Sequence, residues 1–252
     1  MTEHFLQVRA EGSRLRCILD RRAARNALNT AMLEQLLAAL AQAGNNDALR
    51  CITLESADPA AFCAGIDLRE RRTLSTDAMA YQSGLVLALV KALGQAPVPV
   101  VAVLDGWCLG AGLEIALACD LRISADSARL GFPEMDLGTY PGGGGAVALG
   151  RLLGPGRAME VLLGPARMDA RRAFELGLVS AVVPAAELQA LVQQQVTRLE
   201  AVAPAAVRAV RRSLYECATL PLSEAFLHDQ SLRRPLDASG DYRARMAAFG
   251  QA

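Results

Sequence analysis

An α/β fold with parallel strand pairing is what this sequence predicts, on three observations. Short β-type runs alternate with helix-period runs through most of the chain. Residues 98–104 are continuously apolar, as in a strand buried on both faces. After Pro184 the alternation stops and only helical patterns remain. The chain has 252 residues, 52% of them hydrophobic and 21% charged, which is enough apolar material for a substantial core and argues against disorder. The expected organisation is a core over residues 1–184 and a helical region over residues 185–252 that packs on the body or on another subunit.

The elements follow in order. Residues 5–8 and 15–19 read as a strand pair around the Glu11-Gly12-Ser13 turn. Asn29 is placed to cap a helix carrying Met32, Leu33, Leu36, Leu37 and Leu40 at helical spacing, and Gly44-Asn45-Asn46-Asp47 ends it. Residues 51–54 are a strand, residues 56–64 a loop, and residues 77–94 a second helix stopped before Pro97. The apolar run 98–104 leads into a glycine loop and then a helix through Leu113, Ile115, Ala116 and Leu117. Residues 121–124 and 128–132 are further strands. Residues 187–202, 204–215 and 223–232, with a short segment after Asp241, complete the helical tail. No repeat of fixed period is visible in the sequence.

Composition excludes several functions. Lys and Arg balance Asp and Glu at 26 each, so net charge gives no attraction to nucleic acid or an anionic membrane. The Arg208, Arg211, Arg212 cluster reads as a solvated helical face or a subunit contact. The six cysteines are scattered without a C-x-x-C pair and read as reduced, buried thiols. With only His4 and His228, no metal site or histidine triad is expected. Residues 96–119 resemble a membrane span in apolarity, but Pro97, Pro99, Asp105, Glu114 and three glycines interrupt them. The N-terminus lacks a signal-peptide pattern, and a cytoplasmic protein is expected.

Three stretches carry candidate chemistry. In the run from Ala61 to Glu70, Ala64 and Gly65 let a ligand approach the backbone, exposing the Ile66 N–H; taken alone, these residues favour the other reading, an ordinary turn capped by Asp67. From Asp105 to Glu114 a buried strand enters a helix through Gly110 and Gly112, leaving unpaired N–H groups suited to a developing oxyanion. The same glycines would also serve tight helix–strand packing. Glu114 lies in an apolar helix near its start, where a carboxylate is costly unless used, bonded or acting as a cap. Glu134 follows a strand among apolar neighbours, ahead of the loop Gly138-Thr139-Tyr140-Pro141-Gly142-Gly143-Gly144-Gly145. That loop lacks the Lys-Ser/Thr of a phosphate loop. Two acids in apolar settings beside glycine loops are what general acid–base chemistry requires.

Together, Arg25-Asn26-Ala27-Leu28-Asn29, Phe62-Cys63-Ala64-Gly65-Ile66-Asp67-Leu68, Gly110-Ala111-Gly112-Leu113-Glu114 with Ala118-Cys119-Asp120, and Phe132-Pro133-Glu134 with Gly138-Thr139-Tyr140-Pro141-Gly142 resemble the enoyl-CoA hydratase/isomerase (crotonase) superfamily over nearly the whole chain. The resemblance implies a spiral of repeated β-β-α units with a C-terminal helical trimerisation region. It implies an acyl-CoA thioester substrate, coenzyme A entering only as part of that substrate, with no tightly bound cofactor. The Ile66 and Ala111 N–H groups would hold the thioester carbonyl and stabilise its enolate. Glu114 would act as base toward a water, Glu134 would exchange the proton at the α-carbon, and the Gly142 N–H would orient the water. The CoA moiety would meet Arg25, Ala27, Ala64 and Arg69, although Arg25 and Arg69 also read as solvated surface charges. Gly65, Asp67, Leu68, Leu109, Gly110, Pro133 and Tyr140 complete the implied substrate contacts. Ile66 stands where the family more usually has a small residue, and Tyr140 beside the water position; both would reshape the acyl pocket.

Retention of both glutamates favours reversible syn hydration of a trans-2-enoyl-CoA to a 3-hydroxyacyl-CoA. The alternative is a Δ3,Δ2-enoyl-CoA isomerase relying on Glu134, and a more distant one is a non-catalytic acyl-CoA-binding or assembly protein. The resemblance further implies a homotrimer or a dimer of trimers.

Overall fold

The computed structural model describes residues 4–44 and 46–249. Asn45, in the stretch expected to end the first helix, lies outside the described residues, as do the first three residues of the N-terminus. The chain opens with a hairpin of β1 (Leu6–Glu11) and β2 (Arg14–Leu19), closed by Gly12 in the left-handed region at φ +60. Helix α1 (Thr30–Ala43) starts at Asn29, whose side-chain oxygen accepts the Met32 N–H at 2.9 Å.

Three turns of chain then follow one plan. In the first, β3 (Cys51–Ser56) and β4 (Ala61–Cys63) precede α2 (Leu68–Arg71) and α3 (Thr76–Gly94). In the second, β5 (Val100–Leu104) and β6 (Trp107–Leu109) precede α4 (Ala111–Leu117). In the third, β7 (Leu121–Ala125) and β8 (Arg129–Gly131) precede α5 (Gly145–Leu153) and α6 (Pro155–Leu163). The chain continues through β9 (Met168–Asp169), α7 (Ala170–Glu175) and β10 (Ala181–Val183). It ends in α8 (Leu188–Ala201), α9 (Pro204–Glu216), α10 (Leu222–Asp237) and α11 (Gly240–Ala248).

The first strand of each turn joins a six-stranded sheet of order β1-β2-β3-β5-β7-β10, and the second joins a four-stranded sheet of order β4-β6-β8-β9. Pairing is parallel except at β1–β2 and β8–β9. The β-β-α repeat therefore lies in the path of the backbone and leaves no period in the sequence.

Strands β4 and β6 stand where the sequence predicted loops. Each has three residues, too few to show a strand period, and each finds its partners only in a neighbouring turn of the spiral. Ala61 pairs with Trp107 and Cys63 with Cys108, with an irregular register between. Gly106 permits the approach, because a Cβ there would lie 2.1 Å from the Ala60 oxygen.

Every residue of β5 is buried, and alternate ones serve two apolar layers. Val100, Ala102 and Leu104 join the main core with residues of α1, α3 and α4, while Val101 and Val103 face Leu188, Val192 and Val196 of α8. Full burial of each valine or leucine among them stabilises the fold by about 1.5–3 kcal/mol. Helix α8 thus covers one face of the large sheet. Helix α9 is fixed by Arg211, which is buried rather than part of a solvated basic face. Its guanidinium pairs with Asp120 at 2.9 Å and donates to the carbonyls of Leu93, Gly94 and Ala96. Helices α10 and α11 bury no side chain, and Leu222, Phe226 and Leu227 stand exposed. Five cysteines are buried and Cys217 is partly so, all six free. Among the described residues no helix is long and apolar enough to cross a membrane, and residues 96–119 contain β5, β6 and α4.

Candidate active site

A buried brace sets the loop after β4. Arg25 and Asn26 both adopt left-handed backbone at φ 52 and 53, a region that asparagine tolerates better than most residues. The Asn26 amide is fully buried and donates to Ser56 Oγ at 2.7 Å, Ala61 O at 3.0 Å and Phe62 O at 3.2 Å, while its oxygen accepts the Arg21 N–H at 2.8 Å. The Ala64 N–H donates to Arg25 O at 3.0 Å, and Leu28 bonds both neighbours of Ile66, its N–H to Gly65 O and its carbonyl from the Asp67 N–H. The Ile66 N–H itself has no acceptor among the described residues. Gly65, at φ +97, packs on the next turn so closely that a Cβ would lie 3.0 Å from Leu109 O and 3.7 Å from the Ala111 nitrogen.

Gly110, at φ 51 and ψ −127, turns β6 into α4. Its N–H bonds Gly131 O at 2.9 Å, whereas the Ala111 N–H, first in the helix, has no acceptor among the described residues. Two unpaired amides on adjacent turns thus border one space. Glu114 follows on the same helix, only 4% exposed, with Oε1 accepting the Gly145 N–H at 2.8 Å. Burial pushes its carboxyl up, against the opposing pull of the Gly145 and Gly143 N–H groups. The glycine run makes the room: a Cβ on Gly143 would lie 2.7 Å from Glu114 Oε2, and one on Gly145 3.0 Å from Oε1.

Glu134 comes from the 3₁₀ turn Pro133–Leu137 that follows β8. A Cβ on Gly110 would lie 2.5 Å from its Oε1. Burial, reinforced by the negative charge of Glu114 and opposed by its own backbone N–H, raises its carboxyl to about 7. Its Oε2 is buried without a hydrogen-bond partner among the described residues. An orphaned buried oxygen is costly in a resting protein and useful to a ligand.

The two acids and the two amides line one open cleft of about 200 Å³. Of the residues singled out from the sequence, Ala64, Gly65, Ile66, Leu68, Gly110, Ala111, Glu114, Pro133, Glu134, Tyr140 and Gly142 line it. Arg25, Ala27, Asp67, Arg69 and Leu109 do not. Arg25 and Arg69 are exposed and form no ion pair among the described residues. Ala27 and Asp67 are tied to Arg21, the first through its carbonyl and the second by a 2.6 Å ion pair. Asp67 also caps α2, accepting the Arg69 and Glu70 N–H groups. Leu109 lies within β6, paired with Gly131.

The sequence reading gave no individual role to several other contributors, some of them inside the motifs it quoted. Gly145 holds Glu114, Asn26 braces the Ile66 loop, and Arg71, Ser83, Val86, Leu137, Thr139 and Gly143 complete the cleft wall. Ser83 and Val86 share a face of α3 at a spacing of three, but nothing local points that face at Glu114. Among the described residues no cluster of His, Cys, Asp and Glu is arranged to hold a metal.

Two amides without an acceptor among the described residues, from successive β-β-α turns, share one cleft with the buried Glu114 and the half-buried Glu134 on a crotonase fold. Residues 11–250 match the family model described as enoyl-CoA hydratase/isomerase, and the chain belongs to that family. It is 33% identical over 242 residues to the enoyl-CoA isomerase/hydratase fer4 of Mycosarcoma maydis, covering 93% of this chain and 88% of fer4. It is 39% identical over 195 residues to the mitochondrial enoyl-CoA hydratase domain-containing protein 2 of Mus musculus, covering 77% of this chain and 66% of that protein. The crystal structure of an enoyl-CoA hydratase from Bacillus anthracis superposes with a TM-score of 0.95 at 31% identity, covering 98% of this chain and 96% of that one.

Proposed function

We propose that the protein hydrates a trans-2-enoyl-CoA to the 3-hydroxyacyl-CoA. The observation that carries this reading is the pair of glutamates in one cleft, the buried Glu114 held by a backbone N–H and the half-buried Glu134 with a buried oxygen free for a proton. The thioester carbonyl would accept from the Ile66 and Ala111 N–H groups, which stabilise the enolate as charge moves onto oxygen. Glu114 would take a proton from the water as its oxygen bonds the β-carbon. Glu134, protonated up to about pH 7, would deliver a proton to the α-carbon. Gly142, at the exposed rim of the cleft, would orient the water through its N–H. Both protons and the oxygen come from one water once the glutamates re-equilibrate. The exposed apolar side chains of α10 support a symmetric assembly, which we read as a homotrimer or a dimer of trimers.

The test follows the loss of conjugated-thioester absorbance from crotonyl-CoA. The wild type is expected to turn over, and Glu114→Gln or Glu134→Gln to lower kcat by about 100- to 10,000-fold. An inert wild type, or two fully active variants, would reject hydration. The partnerless Glu134 oxygen also suits a proton shuttle along the acyl chain, the isomerase reading. Turnover of a 3-enoyl-CoA by Glu114→Gln but not by Glu134→Gln would favour it.

A further inference from the structure

Arg71 is the one cation on the cleft wall among the described residues. Its guanidinium donates to Gln82 Oε1 at 3.0 Å, Ser83 Oγ at 3.2 Å and, at 3.5 Å, the Met79 carbonyl. All three partners are neutral, and no carboxylate pairs with it among the described residues. The nearest acid in sequence, Glu70, is engaged elsewhere, accepting from the Thr30 N–H and the Gln82 amide. Gln82 is fully buried and so fixes the guanidinium in place. A half-buried, oriented and uncompensated charge is an arrangement that a ligand anion completes.

Its position gives the geometry of that anion. Val86 lies against the Gly143 segment that surrounds Glu114, a Gly143 Cβ falling 2.4 Å from Val86 Cγ1 and 2.7 Å from Glu114 Oε2. Ser83 lies one helical turn earlier on α3, about 4.5 Å along the axis. Arg71, bonded to Ser83, therefore lies on the same cleft wall as Val86 and Glu114, about one helical turn away along α3. Apolar walls from Leu68, Val86 and Leu137 flank the intervening space.

We propose that Arg71 is a specificity-determining residue and that the acyl chain this cleft takes ends in a carboxylate a few carbons beyond the reacting double bond. The inference rests on the acyl-thioester reading of the cleft but not on which reaction follows. The carboxylate would receive charge-assisted hydrogen bonds from the guanidinium, while the carbon chain between fills the apolar stretch.

The closing experiment separates binding from turnover. Affinities of glutaryl-CoA and pentanoyl-CoA, equal in chain length and differing by the terminal carboxylate, are measured by calorimetry for the wild type, Arg71→Met and Arg71→Lys. The wild type is expected to prefer glutaryl-CoA by about 10- to 100-fold, the range of hydrogen bonds to a charged group. Arg71→Met should bring that ratio to about 1, and Arg71→Lys should keep part of it. A wild type that prefers pentanoyl-CoA, or a ratio unchanged in Arg71→Met, overturns the proposal. Hydration of the matching five-carbon enoyl thioesters is followed in parallel. Turnover without preference sinks this inference and leaves the hydratase reading intact. Arginine-dependent preference without turnover does the reverse.

Discussion

Glu134→Gln should remove activity and, at the same time, reverse a pH-dependent weakness of the fold. The wild-type carboxyl moves from an ordinary 4.5 to about 7 on folding, chiefly because burial disfavours its charge. The folded state therefore holds this proton where the unfolded chain has released it, between about pH 4.5 and 7. Stability from this group is fully present below 4.5 and is lost as pH rises through 7. At about 1.4 kcal/mol per pH unit, the span amounts to about 3 kcal/mol as an upper bound. The amide cannot ionise, so the difference between variant and wild type cancels every other titration. For a chain of this size, 1 kcal/mol moves the melting temperature by about 2–4 °C. The assay is thermal unfolding of both proteins at pH 5, 6, 7 and 8. The variant should gain about 5–10 °C on the wild type across that series, whatever its standing at pH 5. A difference that stays constant with pH would refute the idea that Glu134 is held protonated by burial, and with it the α-carbon proton donor.

Two further expectations come from the same geometry. Gly110→Ala forces a Cβ into a backbone region reserved for glycine and to 2.5 Å from Glu134 Oε1, so it should lower kcat for crotonyl-CoA about 100-fold; unchanged kcat would show that the carboxylate needs no fixed position. Arg211→Ala leaves Asp120 and three backbone carbonyls without their cation and should cost about 3–5 kcal/mol, read as a melting temperature lower by roughly 10 °C. A loss under 1 °C would mean that α9 is held by something other than this pair.

The legible part of the sequence was the part with a local cause. Asn29 announces α1 because a cap acts within three residues, and β5 announces itself because a strand buried on both faces has no polar position. Both glutamates stood out because an acid in an apolar run has an immediate cost. What escaped depends on turns of the spiral far apart in sequence. Strand β4 exists as a strand only through pairing with β6 across about 45 residues, and β6 through that pairing and its ladder with β8. Arg211 looked like one charge of a surface row, since Asp120 and the carbonyls that enclose it lie more than 90 residues away. Arg71 was invisible for a related reason: the face of α3 that orients it is set by tertiary packing.

Ile66 serves the cleft with two different parts of itself. Its amide has no acceptor among the described residues and is set by bonds to the backbone on either side, while its partly buried side chain packs on the core and lines the same space. An amide looks the same whichever side chain it carries. On the hydratase reading, mutation at this position would reshape which acyl groups fit without redrawing the electrostatic field that acts on their carbonyl. Substrate range and catalytic power would then be separately evolvable at a single residue, and a library randomised at position 66 alone would sample the first while sparing the second.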